Sequence, residues 1–285
     1  MKIYMFAYSQ MMGLFTIIML SACSSGSVSQ RIDYANSLAT GSGMSKKTFD
    51  ASPFILTGWS RLTSPQSPIH IYIEGDGYAL ISRSEPSLNP TPKNPIGLEL
   101  AKLDTAPNVI YLGRPCQYTP LDTPNNKCSY KDWTSRRFSA EVINTYMQVL
   151  DKIALENPKT QFHLIGYSGG ANIAGILAVR RKDVLSLRTV AGNVDNDAFT
   201  AYHKVSLMPQ SISMADNIEQ LSHIPQIHFV GSEDLVIPES LARQLLAKML
   251  SSGCALIEVI PNTAHTKGWT KKWRELLTRP LPNCS

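Results

Sequence analysis

The chain has 285 residues, a formal net charge of +5, and 43% hydrophobic against 17% charged residues. That length and apolar content suit one domain with a large core and exclude a disordered chain. The positive charge is mild and spread along the sequence, without the basic stripe of a nucleic-acid surface, so no nucleic-acid partner is expected. No G-x-G-x-x-G follows the first strand-like run and no G-x-x-x-x-G-K-[ST] occurs, which argues against nucleotide binding.

At the N-terminus, Lys2 supplies a short positive start, and Met11 to Leu20 is an apolar run too short to span a bilayer comfortably. The junction Leu20-Ser21-Ala22-Cys23 then resembles the lipobox of bacterial lipoproteins. The resemblance implies that residues 1–22 are removed as a signal peptide and that Cys23 carries lipid chains. The membrane is thereby expected as a partner, reached through the N-terminal lipid at the bacterial cell envelope. Ser24 stands where similar lipoproteins use aspartate for inner-membrane retention, so the outer membrane, facing the periplasm, is expected. Serine, glycine and small residues up to about Thr48 predict a flexible tether over 23–49, with the folded domain at 50–285.

From Pro53 onward, short apolar strands alternate with amphipathic helices, the pattern of a mostly parallel, doubly wound α/β sheet covered on both faces. Phe54 to Trp59 and Ile69 to Ile73 read as early strands, followed by a helix over about Pro95 to Leu103 and a strand at Asn108 to Leu112. Ser139 reads as the N-cap of a long helix, with Val142, Tyr146, Val149, Leu150 and Ile153 on one face. A strand ending near Gly166 leads into a helix over Ala171 to Arg181. Further strands follow at Leu187 to Ala191, Gln226 to Val230 and Ala255 to Ile260. A helix over about Glu239 to Leu250 separates the last two. The final helix, about Thr266 to Leu277, carries Trp269 and Trp273 one turn apart as core anchors.

Four cysteines remain after Cys23: Cys116, Cys128, Cys254 and Cys284. An even number in an exported chain implies disulfides. Of three possible pairings, Cys116–Cys128 and Cys254–Cys284 are favoured. The first closes a short polar loop and the second ties the tail to the last strand. No C-x-x-C pair or nearby histidine pair supports a metal site.

The segment Gly166-Tyr167-Ser168-Gly169-Gly170 is a G-x-S-x-G turn between a strand and a helix, which presents a serine hydroxyl at the carboxyl edge of a sheet. Such a hydroxyl becomes a nucleophile only when an imidazole takes its proton and a carboxylate orients that imidazole. Here the chain, from about residue 50 to 279, resembles the α/β-hydrolase superfamily, whose nucleophile, acid and histidine follow successive strands in that order. The resemblance implies Ser168 as nucleophile, His265 beyond Val259-Ile260 as base, and Asp234 beyond Phe229-Val230 as acid. Asp195, after the preceding strand, and Glu233 are rival acids. His70, His163 and His228 lie inside strands, where a core imidazole is expected, and no strand end presents His203 or His223.

The same resemblance implies two backbone donors for an oxyanion. One is Gly169 N–H. The other comes from the loop Glu74-Gly75-Asp76-Gly77, with Asp76 N–H as donor and Gly77 as the alternative; Glu74 occupies the family's usual histidine place. Arg114 is a candidate cation for an acidic side chain there. Two segments are candidate caps, Pro115 to Arg137 and Asn193 to Ser222, the second too short and polar for a large lid. The expectation is a monomeric, lipid-anchored serine hydrolase that cleaves a small acyl ester without metal or organic cofactor. The same machinery would suit a peptidase, thioesterase or acyltransferase, and a non-catalytic envelope binding protein is the alternative of another class.

Overall fold

The structure is a computed structural model that describes residues 26–249 and 253–284. Cys23, its lipobox and the signal segment lie outside the described residues. Among the described residues, no helix is long and apolar enough to cross a membrane.

In chain order the elements are α1 (Val28–Thr40), β1 (Ser45–Ala51), β2 (Phe54–Leu62), β3 (Ile69–Ile73), α2 (Ile96–Leu103) and β4 (Asn108–Leu112). Then come α3 (Ala140–Glu156), β5 (Phe162–Tyr167), α4 (Gly169–Arg180), β6 (Val184–Val190) and α5 (Asn196–His203). The chain closes with α6 (Ile218–Leu221), β7 (Gln226–Gly231), α7 (Glu239–Met249), β8 (Ala255–Ile260) and α8 (Trp269–Leu277). The strands form one eight-stranded sheet in the order β1-β2-β4-β3-β5-β6-β7-β8. β1 with β2 and β2 with β4 are antiparallel, and the other neighbours are parallel. This is the doubly wound α/β sheet the alternation predicts.

Period-two alternation sends side chains to two cores. Ile69, Ile71 and Ile73 of β3 and Leu164 of β5 meet α3 and α4 on one face, against Tyr146, Val149 and Ile173. Tyr72, Ile165 and Tyr167 point to the other face, where Trp59, Trp269 and Trp273 are buried with α1, α2 and α8. The Ser139 hydroxyl accepts from Val142 N–H and caps α3, whose stripe from Val142 to Ile153 is buried. The strand histidines also belong to the scaffold. His70 Nδ1 lies 2.6 Å from Asp104, and His228 is held between Thr189 and Gln226, its pKa lowered by burial to about 4.

The flexible tether expected before residue 50 is corrected by the structure. Ser27 and Gln30 form a reciprocal capping box that starts α1, and Ala35 and Ala39 bury against the domain. Arg31 reaches the carbonyl of Thr91 at 2.5 Å. The polar run Ser45–Ala51 pairs along β2 as an edge strand, burying only Phe49 and Ala51. Its apolar signal is weak because lysines suit an exposed edge and the ladder supplies much of the holding force. Both favoured disulfides, Cys116–Cys128 and Cys254–Cys284, are present.

Candidate active site

β5 is buried along nearly its whole length and stops at Tyr167; the backbone then reverses at Ser168, with φ 50° and ψ −121°. A non-glycine residue there stores strain of about 1–3 kcal/mol. Its neighbours make the bend possible. A Cβ at Gly166 would come within 2.4 Å of the Ala171 Cα, and one at Gly170 within 2.3 Å of the Ile73 carbonyl oxygen. The corner is pinned by Ser168 N–H to the Val190 carbonyl (2.9 Å) and by Asn193 N–H to the Ser168 carbonyl (3.0 Å). α4 therefore begins at Gly169, two residues before the predicted start, so the N–H of its first residue lies beside the serine.

His265 occupies the loop between β8 and α8, a tight turn with Gly268 at φ +93° that delays α8 to Trp269. The His265 carbonyl accepts from Tyr167 hydroxyl (3.0 Å) and Trp269 Nε1 (3.1 Å), so the residue is tied both to the serine strand and to the last helix. Its Nε2 lies 3.0 Å from Ser168 Oγ, and its Nδ1 lies 2.9 Å from Asp234 Oδ2. Asp234 follows β7 with a fully buried side chain, and its Oδ1 accepts from Val236 and Ile237 N–H, both at 2.8 Å. An ionised carboxylate only accepts, so Nδ1 carries the ring proton and Nε2 is left to accept from the serine hydroxyl.

The rival acids go elsewhere. Asp195 accepts from Asp197 and Ala198 N–H as the cap of α5 and pairs with Lys248 at 3.2 Å. Glu233 is exposed at the surface. His203 and His223 do not reach Ser168; His203 Nε2 meets the Val236 carbonyl instead.

The loop after β3 lies directly against the serine: a Cβ on Gly75 would meet Ser168 Cβ at 3.1 Å. Among the described residues neither Gly169 N–H nor Asp76 N–H has a protein acceptor, as an oxyanion donor pair requires. The Asp76 carboxylate packs on Gly169, its Oδ1 only 2.1 Å from where a Cβ would stand. Arg114 Nη1 donates to Oδ1 at 2.9 Å, and Arg137 Nε pairs with Oδ2 at 3.2 Å. Arg114 also donates to the Arg137 carbonyl, so the two cations form one clamp. They flank the disulfide segment, whose first residues Cys116, Gln117 and Tyr118 form a buried buttress while most of 120–131 lies at the surface. Arg137 has no sequence motif to mark it.

Behind this loop Glu74 is fully buried. It accepts from Gly75 N–H (2.9 Å), Gly97 N–H (3.2 Å) and the Tyr111 hydroxyl (2.8 Å). Burial pushes its pKa up to about 7, against the lowering effect of those hydrogen bonds. The second cap candidate is anchored rather than mobile: Asn172 of α4 bonds Ile212 carbonyl (2.8 Å) and Met214 N–H (2.6 Å). Among the described residues no group of three or more His, Cys, Asp or Glu is placed to hold a metal ion.

A doubly wound sheet with a serine at a strained strand-to-helix corner and a histidine and carboxylate after later strands defines a serine hydrolase of the α/β-hydrolase fold. More particularly, the chain belongs to the FSH1 serine hydrolase family, whose profile matches residues 104–266, a span that includes Ser168, Asp234 and His265. Solved structures share the fold. An alpha-beta serine hydrolase homologue from Coxiella burnetii is 16% identical with a TM-score of 0.55, covering 81% of this chain and 93% of that one. Est1E from Butyrivibrio proteoclasticus is 12% identical with a TM-score of 0.55, covering 81% of this chain and 97% of its own. The acylaminoacyl peptidase of Pyrococcus horikoshii reaches a TM-score of 0.57 at 12% identity, over 81% of this chain and 38% of that one. No curated protein sequence gives a significant match.

Proposed function

We propose that the protein is a lipid-anchored carboxylic ester hydrolase of the cell envelope, working through Ser168, His265 and Asp234. The carrying observation is the unbroken relay from Ser168 Oγ to His265 Nε2 at 3.0 Å and from His265 Nδ1 to Asp234 at 2.9 Å. In this reading the Ser168 oxygen attacks the ester carbonyl while His265 takes its proton. The negative oxygen of the tetrahedral intermediate is received by the N–H groups of Gly169 and Asp76. Collapse expels the alcohol, which takes the proton from His265, and water attacks the acyl-enzyme by the same steps in reverse order. The buried Asp234 keeps His265 in the tautomer that accepts from serine and stabilises the imidazolium that forms. The Arg114–Asp76–Arg137 clamp fixes the second donor and cancels the charge that a bare carboxylate would place against an oxyanion.

The anchor is carried by Leu20-Ser21-Ala22-Cys23 after an apolar run. Lipid chains on that cysteine would hold the protein at the envelope membrane, with the outer membrane favoured by Ser24. A fluorophosphonate probe tests the nucleophile: it should label the purified protein, and Ser168→Ala should abolish labelling while leaving the melting temperature nearly unchanged. Undiminished labelling of the variant would end the assignment. Chromogenic esters of graded acyl length, run beside thioesters and peptide amides, rank the substrate classes.

A further inference from the structure

The loops around Ser168 are linked into one rim. Arg137, bound at Asp76, lies over the ring of Phe199 in α5, and Phe199 packs on His203 at that helix's end. His203 donates from Nε2 to the Val236 carbonyl at 2.8 Å, two residues beyond Asp234. The His203 carbonyl accepts from Arg83 at 3.0 Å, and Arg83 sits at the tip of a loop closed by the Leu80–Pro86 bridge. The oxyanion loop's continuation, the end of α5 and the acid loop therefore form a continuous edge.

Most of the large apolar side chains exposed among the described residues belong to these three segments or their direct continuations. Leu88 is 88% exposed, Leu235 81%, Leu207 68% and Ile81 51%, with Tyr202 and Val236 beside them. Apolar side chains gathered at one end of a molecule mark an interaction surface rather than scattered exposure. The exposed charges on these segments are Arg83, Lys93 and Lys204 against Glu85 and Glu233, a small excess of cations.

The start of the fold lies on this side too. Arg31, in the first turn of α1, donates to the carbonyls of Thr91 (2.5 Å) and Asn89 (3.4 Å) and faces the Tyr78 ring. Asn89 directly follows Leu88. Cys23 precedes Ser27 by four residues, a reach of about 14 Å when fully extended. A lipid on Cys23 would thus enter its bilayer close to the rim.

We infer that this rim rests on an anionic lipid bilayer and opens Ser168 toward it, so that the substrate is an acyl ester carried in the membrane. The substrate half of the inference rests on the hydrolase reading above; the docking half rests on the surface alone. Leucines and isoleucine enter the interfacial layer while lysines and arginine meet anionic headgroups, the arrangement that holds peripheral proteins in that layer.

The chain starting at Ser24 keeps every described element and lacks the lipid, so it reports the rim without the anchor. It is floated with vesicles of phosphatidylglycerol and phosphatidylethanolamine, and with phosphatidylcholine vesicles. We expect flotation with the anionic vesicles and at least fivefold less with the neutral ones. Leu88→Asp combined with Leu207→Asp should lower flotation at least tenfold. The double variant should also lose vesicle-embedded long-chain p-nitrophenyl ester hydrolysis in proportion, with turnover of the soluble acetate ester kept within twofold. A chain that stays unbound, equal flotation with both vesicles, or a double variant that floats like the parent overturns the inference. A concentration-dependent dimer broken by the same substitutions would assign the rim to a second copy and overturn it as well. Flotation as expected without cleavage of any ester supports docking and refutes the ester-hydrolase reading instead.

Discussion

Replacing Asp234 by asparagine probes the relay at the point where the structure is most specific. One carboxylate oxygen accepts two backbone N–H groups, from Val236 and Ile237, at 2.8 Å each, and the other faces His265 Nδ1 at 2.9 Å. Asparagine has a single acceptor oxygen. If that oxygen stays with the two backbone donors, which together outweigh one bond, the amide N–H₂ must face Nδ1. Nδ1 then has to accept, the ring proton moves to Nε2, and Nε2 can no longer take a proton from Ser168. A wrong histidine tautomer of this kind costs about 10⁴-fold in kcat, or about 5 kcal/mol of transition-state stabilisation. The fold should survive, because both backbone donors keep their partner, so the melting temperature should move by only a few degrees. Initial rates on a soluble chromogenic ester, with fluorophosphonate labelling rates beside them, give the readout. Asp195→Asn, which alters only the α5 cap and the Lys248 pair, serves as control. Asp234→Asn retaining more than a tenth of the parent kcat, or Asp195→Asn losing as much, would show that Asp234 does not set the His265 tautomer.

The clamp on Asp76 gives a second expectation. Arg137→Ala, which leaves Asp76 only Arg114, should lower kcat about 10- to 100-fold with KM within threefold, since a displaced oxyanion donor is felt in the transition state; steady-state kinetics that put the loss in KM would count against it. Glu74 sets a pH dependence: its folded pKa of about 7 lies above the ordinary 4.5, so the native state holds a proton that the unfolded state has released. Stability from this group therefore falls as pH rises from 4.5 through 7, by about 3 kcal/mol. Denaturant titrations of Glu74→Gln should show that part of the slope gone, with the variant relatively more stable at pH 8 than at pH 5. Finally, mass spectrometry without reductant should join Cys116 to Cys128 and Cys254 to Cys284, and breaking the first link should cost about 3 kcal/mol for its 12-residue separation.

The parallel strands and the helices between them were legible because their signals are local. β3, β4 and β8 match the predicted runs, and β7 runs one residue further, to Gly231. Strands buried on both faces read as unbroken apolar runs. α1 and β1 were not legible. α1 buries only three residues and β1 two; α1 is tied down by the distant Thr91 through Arg31, and the polar β1 is held by its ladder to the neighbouring β2 more than by apolar burial. The start of α4 was misplaced by two residues because glycines at 169 and 170 look like turn in isolation; packing against Ile73 and Asp76 makes them helix.

The fold class, the corner that carries Ser168, and the two later strand ends from which a histidine and an acid are presented were readable from local pattern alone. Those follow from periodicity and from short glycine-bounded turns, which act over a few residues. The packed chain set which of Asp234 and Asp195 faces His265, since both follow strands and nothing local tells which carboxylate will meet the imidazole. It also decided that Arg137 joins Arg114 on Asp76, and that the loops bearing Leu88, Leu207 and Leu235 share one rim. Such meetings depend on strand order and loop path, set by the whole packed sheet, so no stretch of chain encodes them alone.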